Sequence, residues 1–173
     1  MENKEGVKIG GTFIWECFRE GKRIWKDSFH NVFTVEGMAH MLNTVICGST
    51  AITTWYTVLS ETNTAASTAM TYAVPSFTET TSYDETLRPA YQEAPVSGTS
   101  VTNAGTVAVF TISATKTMYG AGLVGGGTAG STKANTAGGG TLACYALAGT
   151  ARALVDNDVI NLTYVLSAAD DGV

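Results

Sequence analysis

The sequence has little charge, three cysteines and two histidines, and each shortage argues against a class of function. Only 14% of the 173 residues are charged, and the net charge of −5 argues against a nucleic-acid partner, whose binding needs a basic face. The cysteines are far apart and lack the spacing of a zinc site or redox pair, so we expect apolar side chains in a reducing cytoplasm.

Long apolar runs are also missing. No stretch approaches the roughly 18 apolar residues of a membrane span, so we expect no membrane partner. Residues 1–5 are mostly polar and charged, unlike the start of a secretory signal peptide, so we expect none.

The shortage of charge is concentrated in residues 94–155, the charge-poor segment. It contains Lys116, Lys133 and Arg152 and no acidic residue. Because interfaces are depleted in Lys, Glu and Asp, the segment can supply surface that is buried against partner subunits. The alternative is a neutral Thr, Ser and Gly surface on a monomer. Threonine occurs 27 times in the chain, which favours β-structure.

The first clear unit is a β-hairpin. Residues 12–19 are rich in aromatic and β-branched side chains, and Phe13, Trp15 and Cys17 alternate onto one face. Glu20 and Gly21 predict a turn, and residues 23–29 predict the returning strand.

One helix is predicted over residues 35–47. Thr34 can cap its start, and Gly48 can end it in a left-handed conformation. Its apolar side chains share one stripe: Met38, Met41, Leu42, Val45 and Ile46. Such a stripe is more often typical of core packing than of a partner-binding groove. We therefore expect the helix to lie on the hairpin, with Trp25 and Leu42 buried.

The remaining predicted elements are strands and loops. The predicted strands cover residues 52–59, 87–93, 107–113, 118–124, 141–147 and 159–166. Residues 62–85 are polar and predict a long excursion with little regular structure. We predict one all-β domain over residues 1–173, a jelly-roll-like β-sandwich with one α-helix packed on it. A short N-terminal arm (1–10) and a Gly-rich loop (125–140) complete it.

Two glycine motifs resemble nucleotide sites but lack the required context. Gly120, Gly122 and Gly125 match a dinucleotide fingerprint, which needs a following helix to hold the pyrophosphate. The Gly-rich loop follows instead. Gly125 and Gly130 have P-loop spacing, but Lys133 comes after the hydroxyl residues and not directly after the second glycine. We therefore expect no nucleotide cofactor.

Candidate residues for acid–base or metal chemistry are few. His30 and His40 are the only histidines, and we interpret both as structural or surface residues. The acidic residues around Arg88 lack the regular ligand spacing of a calcium loop; they are Asp84, Glu85 and Glu93. Asn161 begins a glycosylation sequon but lies in a predicted strand. We assign no catalytic, cofactor-binding or metal-binding residue and expect no enzymatic activity.

The order of several segments resembles a known group of proteins. A hairpin ending in residues 24–31 runs directly into the helix at 34–43, and a strand at 54–59 follows. Residues 82–85 with Arg88 and Pro89 come next, and then residues 114–121. This order resembles small virion proteins of tailed bacteriophages, found among tail-associated and head-decorating components. The resemblance covers residues 11–124 and is closest to capsid decoration (cement) proteins with jelly-roll folds.

The resemblance implies a homo-oligomeric subunit on the virion capsid surface, assembled in the host cytoplasm. Its partners would be the major capsid protein and further copies of itself. The alternative is a tail or fibre component, which could bind a host receptor. A receptor-binding protein tends to expose aromatic residues on loop tips, whereas Trp15, Trp25 and Trp55 all lie in predicted strands.

Overall fold

A computed structural model describes residues 6–170, which form ten strands and one helix. In chain order the elements are β1 (Val7–Arg19), β2 (Lys22–His30), β3 (Val32–Phe33), α1 (Val35–Val45), β4 (Trp55–Ser60), β5 (Ala90–Tyr91), β6 (Ser100–Thr102), β7 (Ala108–Thr111), β8 (Lys116–Gly126), β9 (Gly140–Leu154) and β10 (Val159–Asp170).

The strands form two five-stranded antiparallel sheets. The first has the order β2-β1-β10-β6, with β7 also paired to β10, and the second has the order β3-β9-β8-β4-β5. The expectation of a mainly β chain with one helix is confirmed. Local sequence patterns were sufficient for this prediction, because alternating apolar residues and turn residues can be recognised within single segments.

The predicted hairpin is present as β1 and β2. Glu20 and Gly21 both have positive φ, 50° and 74°, as the tight turn that matches strand twist requires. The N-terminal arm expected over residues 1–10 is wrong for residues 7–10. These belong to β1, where Val7 lies opposite Asp170 of β10. Residues 1–5 lie outside the described part of the chain.

The two sheets share one core. On β10, the alternating residues Ile160, Leu162 and Tyr164 are buried on one face of the strand. The ring of Tyr164 stacks on Phe13 of β1 with centroids 4.4 Å apart. From the second sheet, Leu123 of β8 joins the same cluster. Burying each large side chain stabilises the fold by about 1.5–3 kcal/mol.

A second core lies on the outer face of the second sheet. The excursion at residues 62–85 has little regular structure, as predicted, but it covers this face with Met70, Tyr72 and Phe77. Phe77 stacks on Tyr145 of β9 with centroids 4.3 Å apart. The central parts of β8 and β9, residues 120–125 and 142–146, are buried and contain no charged side chain, whereas Lys116 and Arg152 lie toward the strand ends. Much of the shortage of charge at residues 94–155 therefore reflects burial within the molecule.

Several predicted boundaries are wrong. The strand expected over 87–93 is reduced to β5, and the strand expected over 52–59 begins only at Trp55. The Gly-rich loop is also shorter than predicted. Gly125 and Gly126 end β8 and Gly140 begins β9, so the connection covers residues 127–139.

The predicted orientation of the helix is wrong. The helix starts after Thr34, whose hydroxyl oxygen accepts a hydrogen bond from the Gly37 amide at 2.9 Å, and this cap was predicted. However, Leu42 is 63% exposed, so its side chain does not pack on the hairpin. Trp25 is only partly buried and packs edge-on against Trp15, with centroids 5.5 Å apart. The expected packing of the hairpin on the apolar stripe does not occur.

Candidate protein-binding surface

Contacts near the start of helix α1 determine which of its faces points inward. Gly37 is buried so closely on β9 that an added Cβ would lie 2.7 Å from the Ala143 Cα. Glu36 accepts hydrogen bonds at Oε2 from the backbone amides of Tyr72, at 2.8 Å, and Leu142, at 2.7 Å. The carboxylate of Glu36 is therefore used inside the fold, as a bridge between the excursion and β9.

The polar side of the helix continues inward along its length. His40 packs edge-on against Trp55 with ring centroids 5.7 Å apart, and its Nε2 lies 3.4 Å from the Thr44 hydroxyl. Met41 is partly buried and lines a cavity of about 220 Å³ between the helix and the two sheets. These contacts turn the remaining apolar face of α1 toward the surface.

The outward face of α1 and its C-terminal end is an apolar stripe, here called the helix stripe. Its members are all large aliphatic side chains, and their exposed fractions are high: Val35 59%, Met38 40%, Leu42 63%, Val45 77% and Ile46 75%. Single exposed apolar residues are ordinary, but a continuous patch of them marks an interaction site.

No charge interrupts this face. Glu36 is the only Asp, Glu, Lys or Arg in α1, and its carboxylate is turned inward. The exposed neighbours Ala39 and Asn43 are uncharged. The helix stripe therefore suits a partner surface that is itself apolar and uncharged.

The glycines of the sequence motifs have packing roles. Gly120, Gly122 and Gly125 lie in β8, which leads into the connection to β9 and not into a helix. A Cβ at Gly122 would lie 3.0 Å from the Cys144 carbonyl oxygen, so a side chain there would press on β9. Lys133 donates a hydrogen bond from Nζ to a backbone carbonyl at 2.5 Å. The ammonium group of Lys133 is thus hydrogen-bonded within the protein itself.

The structure does not bring the two histidines together with each other or with the sequon. His30 Nδ1 lies 3.0 Å from the Thr12 hydroxyl on an exposed face of the first sheet, whereas His40 contacts Trp55. Asn161 lies in β10, opposite Val109 of β7, as predicted for a strand residue. None of these placements forms a joint site.

Arg88 does not pair with the acidic residues nearest to it in sequence. The partner of Arg88 is Glu79, with Nη2 and Oε2 2.5 Å apart, and both side chains are buried. Glu85 instead accepts hydrogen bonds from the amide and hydroxyl of Thr111. Within residues 6–170, no group of three or more His, Cys, Asp and Glu side chains is placed to hold a metal ion.

Arg88 organises the Gly-rich loop, a role that the sequence analysis missed. Its Nη1 donates to the Gly130 carbonyl at 2.8 Å, and its Nη2 donates to the Asn135 carbonyl at 2.9 Å. Nη1 also lies 3.3 Å from the Tyr72 hydroxyl. One signal was available, because Arg88 is the single Lys or Arg in residues 27–115. A single basic residue in such a long stretch indicates that its charge has a specific structural role.

No protein-family model matches the chain, and no curated protein matches it in sequence. In the part of the chain that the structure describes, no helix is both long and apolar enough to cross a membrane.

Proposed function

We propose that the protein is a non-enzymatic structural subunit of a bacteriophage virion, which decorates the capsid by binding the major capsid protein and further copies of itself. The observation that carries this proposal is the helix stripe. The one helix in the described residues exposes its large aliphatic side chains to solvent. In the isolated subunit these side chains therefore contribute little free energy of burial. Covering them with another subunit recovers the favourable free energy of their burial.

The fold supports a structural role. Two antiparallel sheets around a shared core fit a jelly-roll-like sandwich, the architecture expected from the resemblance to decoration proteins. The three cysteines are free thiols, which fits assembly in a reducing host cytoplasm. On a capsid surface the same contact would be repeated many times. Many weak contacts then add to a large stabilisation, because each bound subunit raises the effective concentration of the next contact.

The alternative proposal is a tail or fibre component that binds a host receptor. The placement of the tryptophans favours capsid decoration. Trp15 is fully buried, and Trp25 and Trp55 are partly buried against the core, so none is presented on a loop tip. A receptor-binding surface usually depends on exposed aromatic anchors.

The copy number of the protein in purified virions tests the proposal. Quantitative mass spectrometry would compare it with the major capsid protein in the same particles. A decoration protein should be present in hundreds of copies, in a fixed ratio to the capsid subunit. About a dozen copies or fewer would contradict capsid decoration and favour the tail position, because a tail has few equivalent sites.

A further inference from the structure

We infer that the helix stripe binds a second copy of this chain, so that α1 of one molecule packs against α1 of another across a two-fold axis. This inference rests on the proposed function as a subunit-binding protein and names the partner of the same surface.

The spacing of the helix stripe favours another helix as the partner. Val35, Met38, Leu42 and Val45 follow one another at intervals of three, four and three residues. These are the a and d positions of a heptad, the narrow seam by which one helix packs along another. Residues 6–170 contain no second helix. A helix that covers this seam is therefore not among the described residues, and we place it on a second molecule.

The charges favour a copy of the same chain. Two molecules that each carry a net charge of −5 repel one another, and this repulsion is smallest where the surface of contact is itself free of charge. The helix stripe meets this condition, since Glu36 is turned inward and hydrogen-bonded to two backbone amides. Two helix stripes are complementary in chemistry, because each offers only aliphatic side chains.

A two-fold axis gives the pairing a definite geometry. In an isologous interface the same patch is used by both copies, and an axis perpendicular to the helices makes them antiparallel. With the axis between Met38 and Leu42, the Leu42 side chain of one copy meets Met38 of the other. Val35 then meets Val45. Leu42 lies near the centre, where truncation has the largest effect.

The available area predicts a reversible dimer. A fully exposed aliphatic side chain offers about 60–120 Å² of apolar surface, so five side chains that are 40–77% exposed give roughly 300 Å² per copy. A standard interface buries about 800 Å² per partner. The exposed Ala39, which lies beside the helix stripe, would supply part of the remainder. We therefore expect a weak dimer of the free protein, with a dissociation constant of about 100 µM, and fuller association on a particle surface.

Analytical ultracentrifugation of the full chain tests the inference. From about 1 µM to about 500 µM, a range that brackets this Kd, the wild type should move from 18.1 kDa toward twice that mass. Leu42→Asp should raise the dimer Kd by roughly 100-fold, because the charge enters the interface twice. Asn43→Asp is the matched control, since it adds the same charge to an exposed position beside the helix stripe and should leave the Kd unchanged.

A charge-swap experiment separates loss of contact from loss of folding. Leu42→Asp and Leu42→Lys should each be monomeric alone, with the circular dichroism of the wild type. Their equimolar mixture should dimerise at least about 10-fold more tightly than either alone, because the repulsion between two like charges on either side of the axis is replaced by attraction between opposite charges. A wild type that stays at 18.1 kDa throughout the range would overturn the inference. So would equal weakening by Leu42→Asp and Asn43→Asp.

Binding to particles distinguishes the inference from the proposed function. A wild-type dimer that does not bind capsids would support self-association and contradict capsid decoration. A wild-type monomer that binds capsids, and loses this binding with Leu42→Asp, would support decoration and overturn self-association. In that case the helix stripe faces the capsid shell.

Discussion

The buried ion pair between Arg88 and Glu79 gives the sharpest prediction about stability. The two side chains are 2% and 7% exposed, and the guanidinium also donates to the carbonyls of Gly130 and Asn135. Burial lowers the pKa of Arg88, but the hydrogen bonds and negative charge of Glu79 outweigh this, so its pKa lies above the ordinary value. In Arg88→Met, a buried carboxylate and two carbonyls of the Gly-rich loop lose their donor.

The size of the effect follows from the unpaired charge. Removing one partner of a buried ion pair costs about 3–5 kcal/mol. This is a large part of the free energy of unfolding of a native domain, which is about 5–15 kcal/mol. Glu79→Leu should cost a similar amount, because it leaves the guanidinium unpaired. The double variant Arg88→Met with Glu79→Leu should be more stable than either single variant. It contains no uncompensated charge, and only the loop carbonyls remain unsatisfied.

Urea unfolding followed by tryptophan fluorescence would measure these free energies. Arg23→Met is the matched control, since Arg23 pairs with Glu16 at the surface with a side chain 55% exposed and should contribute less than about 1 kcal/mol. Hydrogen exchange should show faster exchange of residues 127–139 in Arg88→Met. The reasoning is refuted if Arg88→Met costs no more than Arg23→Met, or if the double variant is the least stable of the set.

Two further predictions concern titratable groups. The hydrogen bond from Arg19 to the fully buried Asp158, at 2.7 Å, holds the pKa of Asp158 below its usual range. The stability that it contributes is therefore fully present above the unfolded pKa of about 3.9 and is lost as the pH falls through the folded value. Asp158→Asn should flatten the acid limb of the urea midpoint plotted against pH, and an unchanged slope would contradict this. Burial raises the pKa of Cys17 to about 12 and that of Cys144 to about 11, whereas Cys47 is exposed. A thiol reagent at pH 8 should thus label the native chain once, at Cys47, and should label all three cysteines in denaturant. Labelling of Cys17 or Cys144 in the native state, detected by mass spectrometry, would contradict their burial.

Features determined by neighbouring residues were predictable. The hairpin turn at Glu20 and Gly21 depends on two residues that adopt positive φ, and the helix cap depends on Thr34 and the amide three residues later. The inward face of β10 follows from alternation alone. In each case the deciding interaction lies within a few residues of the chain, so a local pattern contains the information.

The buried pair was not predictable from spacing. Three acidic residues lie closer to Arg88 in sequence than Glu79 does, namely Asp84, Glu85 and Glu93. The excursion contains no regular element whose period would place a side chain. Only the packing of the excursion on the second sheet brings Glu79 and the Gly-rich loop to the same buried point.

The orientation of α1 is the clearest example of a feature that the sequence pattern did not determine. An amphipathic pattern determines that a helix has an apolar face, because the period of 3.6 residues sorts its side chains by themselves. It does not determine what covers that face. Here Gly37 permits close contact with β9, and the Glu36 carboxylate bonds to amides of the excursion and of β9, which are distant in sequence. The tertiary structure therefore decided that the helix stripe faces outward, because the contacts that hold the other face inward exist only after the sheets and the excursion have packed.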